Sequence, residues 1–137
     1  AIADVGTVIN PRSLQGQTFG GAMLGIGHAI SQKWVYDPHY GVAIGKRMYQ
    51  NNPPTILDIP IDARAEGLNI PDPGNPVVGA KGIGEPSTVA AAGAVLNALA
   101  NAIGDDIIRR TPVQPEMIMA TLANNRQIAY ETLTAFI

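Results

Sequence analysis

The residues Gly79-Ala80-Lys81-Gly82-Ile83-Gly84-Glu85-Pro86-Ser87 bring one cation, one carboxylate and three glycines together ahead of about eighteen residues without charge. Glycine admits positive φ and lets a ligand approach the main chain closely. A helix that starts after such a loop offers free backbone N–H groups to an anion. Glu85 is then either a helix-start acid, worth about 0.3–1 kcal/mol in the dipole field, or a general base whose proton affinity is raised by desolvation. Lys81 either holds an anion or is a surface lysine. The loop lacks the Lys-Ser/Thr ending of a phosphate-binding P-loop and the Gly-x-Gly-x-x-Gly spacing of a dinucleotide fold.

A second glycine-rich helix entrance, Leu14-Gln15-Gly16-Gln17-Thr18-Phe19-Gly20-Gly21, contains no acid. Gln17 can present its amide to a phosphate or carbonyl while backbone N–H groups face the same ligand. The competing reading is a tight helix crossing that needs small residues. Elsewhere the chemistry is thin. His28 and His39 have no metal-ligand spacing, so His28 reads as a packed helix residue and His39 as a turn residue. Asp58 and Asp62 read as solvated, Trp34, Tyr36 and Tyr40 as one face of a hairpin, and Arg109 and Arg110 as an exposed pair.

The elements that must position these groups follow from pattern. Ile2–Ile9 is rich in β-branched residues and stops at Asn10-Pro11, so it reads as a strand and turn. Leu14 to Ile30 has helical spacing, and five glycines inside it cost about 1 kcal/mol each relative to Ala, which implies close packing against another backbone or a ligand. Gln32–Asp37 and Val42–Met48 read as the arms of a hairpin around Asp37-Pro38-His39-Tyr40-Gly41. Thr55–Ile61 reads as a strand, Ala63–Gly67 is ambiguous, and Ile70–Pro76 is an extended loop. Ser87 or Thr88 is expected to cap a helix that ends at Gly104 and is buried nearly all round. Ile107–Arg110 is short and β-like. Thr111-Pro112-Val113-Gln114-Pro115-Glu116 starts a further helix, Met117 to Leu122, and the tail to Ile137 reads as helical. The resulting fold class is α+β, with mixed strands and a β-hairpin packed against buried Gly/Ala-rich helices.

With 137 residues there is room for one domain. Charged residues make up 15%, against about 25% in typical soluble domains, which favours a chain that buries much of itself against a partner or a larger protein. A net charge of −2 gives no electrostatic case for nucleic acid or an anionic membrane. There is no cysteine, so disulfides, thiolate catalysis and iron–sulfur ligation are excluded within this chain. Two uncharged stretches, Ser13–Ser31 and Pro86–Gly104, reach membrane-span length, but both are built from Gly, Ala, Asn, Gln, Ser and Thr as much as from large apolar residues and read as buried helices rather than spans.

Five motifs occur in order: Asp4-Val5-Gly6-Thr7-Val8-Ile9-Asn10-Pro11, Gly16-Gln17-x-x-Gly20-Gly21-x-x-x-Gly25-x-Gly27, Gly79-x-Lys81-Gly82-x-Gly84-Glu85, Asn97-Ala98, and Thr111-Pro112-x-x-Pro115-Glu116. Together they resemble the C-terminal part of the molybdopterin-binding large subunit of the xanthine dehydrogenase/aldehyde oxidase family of molybdenum hydroxylases. The resemblance covers residues 2 to about 124. It implies a division into a C-terminal portion of a molybdopterin-binding domain, 1–124, and a tail, 125–137.

By this resemblance Glu85 is the catalytic base that takes a proton from a molybdenum-bound hydroxyl or water, as an N-heterocycle or aldehyde is hydroxylated with water-derived oxygen. Gln17, Lys81, Gly82, Ile83 and Gly84 become cofactor contacts, with no metal ligand from the chain itself. The implied partners are the remainder of the molybdenum subunit, an iron–sulfur subunit, an FAD subunit and a small-molecule substrate, with no nucleic acid and no membrane span. The implied setting is a cytoplasmic heteromer, with the periplasm as the other compartment. Because the family's subunit is several times longer, the chain is expected to be a split-subunit piece or a truncated one, inactive alone. The rival readings are a non-catalytic fragment retained for subunit packing and a small anion-binding module built on Lys81–Glu85.

Overall fold

The computed structural model describes residues 1–105, 108 and 110–123. A two-residue strand β1 (Ile2–Ala3) leads to helix α1 (Pro11–Ile26), which runs on into a π-helical turn, Gly27–Ser31. A loose hairpin region and a four-residue helix α2 (Met48–Asn51) follow, then a 3₁₀ turn, Ile56–Asp58, and a second short strand, β2 (Glu66–Gly67). Helix α3 (Pro86–Ile103) and helix α4 (Pro115–Leu122) complete the described chain. β1 and β2 pair in parallel, with Ile2 opposite Glu66 and Ala3 opposite Gly67.

α1 starts one turn earlier than the helical spacing from Leu14 indicated, at what reads in sequence as a turn. Asn10 is the N-cap, its Oδ1 accepting from the Ser13 N–H at 3.1 Å, and Pro11 fills the first turn, where its missing N–H costs nothing. Its inner face is Leu14, Thr18, Gly21 and Gly25, an i, i+4, i+7, i+11 stripe. α3 crosses this stripe. A Cβ at Gly21 would lie 2.1 Å from the Ser87 Oγ, and one at Gly25 would lie 2.3 Å from the Thr88 carbonyl oxygen and 2.8 Å from the Ala91 Cβ. These two glycines therefore permit the helix crossing, as the close-packing reading anticipated.

A second cluster forms at the far end of α1. Ala29 is fully buried and its carbonyl accepts from the Val113 N–H at 2.7 Å, and Val113 and Met117 are buried as well. This contact ties α4 to the π turn.

Several expectations are corrected. The strand expected over Ile2–Ile9 is reduced to Ile2–Ala3 plus an isolated antiparallel bridge between Gly6 and Ala80. Thr55–Ile61 is not a strand. Asp58 Oδ2 accepts from the Thr55 N–H at 2.6 Å and from its hydroxyl at 2.9 Å, and this local capping arrangement closes a 3₁₀ turn instead. Ser87 and Thr88 do not cap α3, because Pro86 already stands in its first turn and Glu85 occupies the cap position. His28 is exposed rather than packed.

α3 is also less covered than expected: none of its residues is fully buried within this chain, and Val89 is 79% exposed. By length and composition it is the one described helix that could cross a membrane. Its Ser87–Ala92 segment instead lies against α1. The hairpin is present in its hydrogen bonds, Asp37 N–H to Val42 O at 2.9 Å and Ile44 N–H to Val35 O at 2.8 Å, with one bridge between Tyr36 and Ala43. Residues 107 and 109 and the tail from 124 onward lie outside the described residues, and with them the β-like segment and the helical tail expected there.

Candidate functional site

Residues 4–7 and 79–81 are held together before either reaches its helix. The Gly79 carbonyl accepts from the Thr7 N–H at 2.7 Å and from the Asp72 N–H at 2.8 Å, while the Lys81 N–H donates to the Val5 carbonyl at 2.8 Å. Both glycines at this crossing have left-handed backbone, Gly6 at φ +63° and Gly79 at φ +67°. A Cβ on Gly6 would stand 2.1 Å from the Gly79 carbonyl oxygen. Conformation and space thus both require glycine here.

The rest of the loop runs from this anchor to the start of α3. One cavity of about 320 Å³ opens on one side of it, between residues 5–10, the first turns of α1 and the loop; Gln17, Lys81 and Ile83 all line it. A second, of about 290 Å³, lies between β1 and the start of α3, lined by Gly82, Ile83, Thr18 and Ser87 among others. Ile83 lines both. Four of the residues singled out from sequence, Gln17, Lys81, Gly82 and Ile83, are therefore gathered around one loop and one helix end.

Gly84 and Glu85 line neither cavity, and both are exposed. The desolvation that a base at Glu85 would need is not supplied by the described residues. The helix-start reading is not realised either: Glu85 sits at the cap position with φ −110° and ψ 18°, yet its side chain makes no capping hydrogen bond. Among the described residues the carboxylate has no hydrogen-bond or ion-pair partner.

Lys81 has an acid beside it. Its Nζ lies 2.5 Å from Asp4 Oδ2, an ion pair with both side chains partly exposed. This bond holds the Asp4 carboxyl below its ordinary range, helped by the Gly6 N–H that donates to Asp4 Oδ1. It also raises the Lys81 ammonium above its ordinary value. Asp4 was not read as a site residue. It stood in the first motif of the resemblance, but its partner is 77 positions away and no local pattern joins them.

A pterin-type cofactor with a phosphate would need bare backbone and a few donors, and the residues present fit that need. Nothing lies within 4 Å of a Cβ built at Gly16, Gly20, Gly82 or Gly84, and none of the four has positive φ. Among the described residues neither packing nor conformation calls for glycine there, so these positions present open main chain. Gly16 and Gly20 lie on the outer face of α1, opposite the stripe that meets α3, and Gln17 lies on the flank between that face and the stripe, all three exposed. The buried Ser87 Oγ has no hydrogen-bond partner among the described residues. Among those residues no cluster of His, Cys, Asp and Glu could hold a metal ion.

Comparison with known proteins agrees. The family model described as "Molybdopterin cofactor-binding domain" matches residues 1–60. The chain is 36% identical over 120 residues to the gamma subunit of the 6-hydroxypseudooxynicotine dehydrogenase complex of Paenarthrobacter nicotinovorans, covering 85% of this chain and 15% of that protein. It is 30% identical over 118 residues to the xanthine dehydrogenase molybdenum-binding subunit of Escherichia coli O157:H7, again covering 85% of this chain and 15% of that protein. The crystal structure of the Cu,Mo-CO dehydrogenase in its carbon monoxide-reduced state superposes with a TM-score of 0.73 at 26% identity, over 90% of this chain and 16% of that one. The chain thus spans about a sixth of the length of each of these relatives. It belongs to the molybdopterin-binding subunits of the xanthine dehydrogenase and aldehyde oxidoreductase family.

Proposed function

We propose that this chain forms one wall of a molybdenum-cofactor site in a hydroxylase, with Glu85 as the proton acceptor. The observation that carries the reading is the 79–85 loop: zipped to residues 4–7 at one end, bare at Gly82 and Gly84, and ending in a carboxylate that caps nothing. When bound, the cofactor supplies the redox chemistry that oxidises a substrate carbon using oxygen from water. Gln17 offers its amide, and Gly82, Ile83 and Gly84 their backbone, to the cofactor. Glu85 takes and holds a proton at its carboxylate, and packing by the remainder of the subunit excludes water around it. Iron–sulfur and FAD subunits receive the electrons, the complex is cytoplasmic, and the substrate is an N-heterocycle or aldehyde.

The test is Glu85→Gln in the assembled enzyme. Removing a general base lowers kcat by about a hundredfold or more, with molybdenum and pterin content unchanged. A variant that keeps kcat within severalfold of wild type removes Glu85 from the role. The rival anion-binding module is disfavoured, because the cation it needs is already paired with Asp4.

A further inference from the structure

We infer that Asp4 is a positioning residue: it holds the glycine loop in place through Lys81, so that Lys81 anchors the loop rather than binding the cofactor's phosphate. The inference rests on the proposed role of the 79–85 loop. Three observations carry it. The ammonium is bonded to Asp4 Oδ2 at 2.5 Å. The same lysine's N–H is bonded to the Val5 carbonyl at 2.8 Å, so backbone and side chain of one residue grip one short segment. Asp4 is itself oriented, since its other oxygen accepts the Gly6 N–H at 3.2 Å.

The consequence is geometric. After Lys81 the loop has no further backbone hydrogen bond across to residues 4–7, and Gly82 and Gly84 meet no side chain that would steady them. The segment Gly82–Glu85 is thus strung between two supports, the Lys81 anchor and the start of α3 where Ser87 meets Gly21, and a shift at the Lys81 end changes its course. A base displaced by about 1 Å can lose on the order of a hundredfold in rate. An exposed ion pair is a weak fastener by itself, worth about 1.4- to 5-fold in a local opening equilibrium. It can act here because it adds to a backbone anchor that already exists.

The experiment uses the assembled holoenzyme with Asp4→Asn, Lys81→Met, the double variant and Asp4→Glu. Hydrogen exchange at residues 79–85, kcat, KM and molybdopterin content are the readouts. The anchor predicts that both single variants speed loop exchange about two- to fivefold and lower kcat severalfold, with KM and cofactor content unchanged. The double variant is no worse than either single one, and Asp4→Glu recovers part of the loss. The inference is overturned if Lys81→Met sheds cofactor while Asp4→Asn keeps it, since Lys81 is then a cofactor ligand. It is also overturned if the two single effects simply add, or if Asp4→Asn leaves exchange and kcat as in wild type. Exchange and cofactor content do not depend on Glu85 being the base. A failure of Glu85→Gln to lower kcat therefore tells against the proton-acceptor role and leaves the anchor to be judged on its own readouts.

Discussion

Two alanine substitutions on one helix should have opposite effects. At Gly25 the added methyl would meet the Thr88 carbonyl oxygen at 2.3 Å and the Ala92 nitrogen at 2.8 Å, both backbone atoms that no rotamer change can move. Overpacking of this kind costs about 1–3 kcal/mol. Alanine returns up to about 1 kcal/mol in helix propensity, so taking the upper figure leaves a loss of about 2 kcal/mol in the α1–α3 contact. At Gly20 nothing lies within 4 Å, so only the propensity gain of about 1 kcal/mol remains. In hydrogen exchange on the assembled enzyme, a 2 kcal/mol loss speeds α1 amides about thirtyfold, and a 1 kcal/mol gain slows them about fivefold. The second half of the prediction concerns function. The Gly20 methyl would stand one turn from Gln17 on the open face, so Gly20→Ala should reduce molybdopterin content while making α1 more stable. Two results refute the reasoning: Gly25→Ala exchanging like wild type, or Gly20→Ala keeping its full complement of cofactor.

Further outcomes follow from the loop and its charges. Gly79→Ala should disrupt the crossing with residues 4–7, since it adds a left-handed alanine, worth about 1–2 kcal/mol, to a Cβ 2.8 Å from the Thr7 Oγ1; limited proteolysis between residues 70 and 85 would show the release. Asp58 is held below its ordinary value of 3.8, first by the Thr55 N–H and then by its hydroxyl. Its contribution is therefore present above the unfolded value and lost as pH falls through the lower folded one. Asp58→Asn should flatten the acid limb of the unfolding curve below about pH 4, and an unchanged limb would remove the capping bond from the account. For Lys81, raised above 10.5 by Asp4, the sign reverses: its contribution is present below that value and fades as pH rises through the folded one.

Much of the frame could be read in advance. The helical spacing from Leu14 marked the body of α1, Pro115 the start of α4, and the glycines inside α1 announced a close crossing, realised at Gly21 and Gly25. These are local signals, because caps, prolines and small residues act within a turn or two of where they stand. The misreadings are local as well. The β-branched and apolar residues of 55–61 looked extended, but Thr55 and Asp58 satisfy each other at a separation of three and fold the segment into a 3₁₀ turn. The fully wrapped α3 was inferred from its lack of charge. That composition describes what the helix can be buried against, and within this chain only one face of it meets α1.

Residue type and spacing alone singled out the candidates: Glu85 after a run of glycines, Gln17 in a glycine-rich helix entrance, and five motifs in the order of a molybdopterin-binding subunit. What only the tertiary structure decided is how they stand to one another. It brings Gln17, Lys81 and Ile83 to one cavity, leaves Glu85 free of its capping duty, and gives the Lys81 ammonium to Asp4. A side chain's chemistry is written at its own position. Its partner is chosen by chain crossings, here Gly6 against Gly79, that bring residues 77 apart within bonding distance.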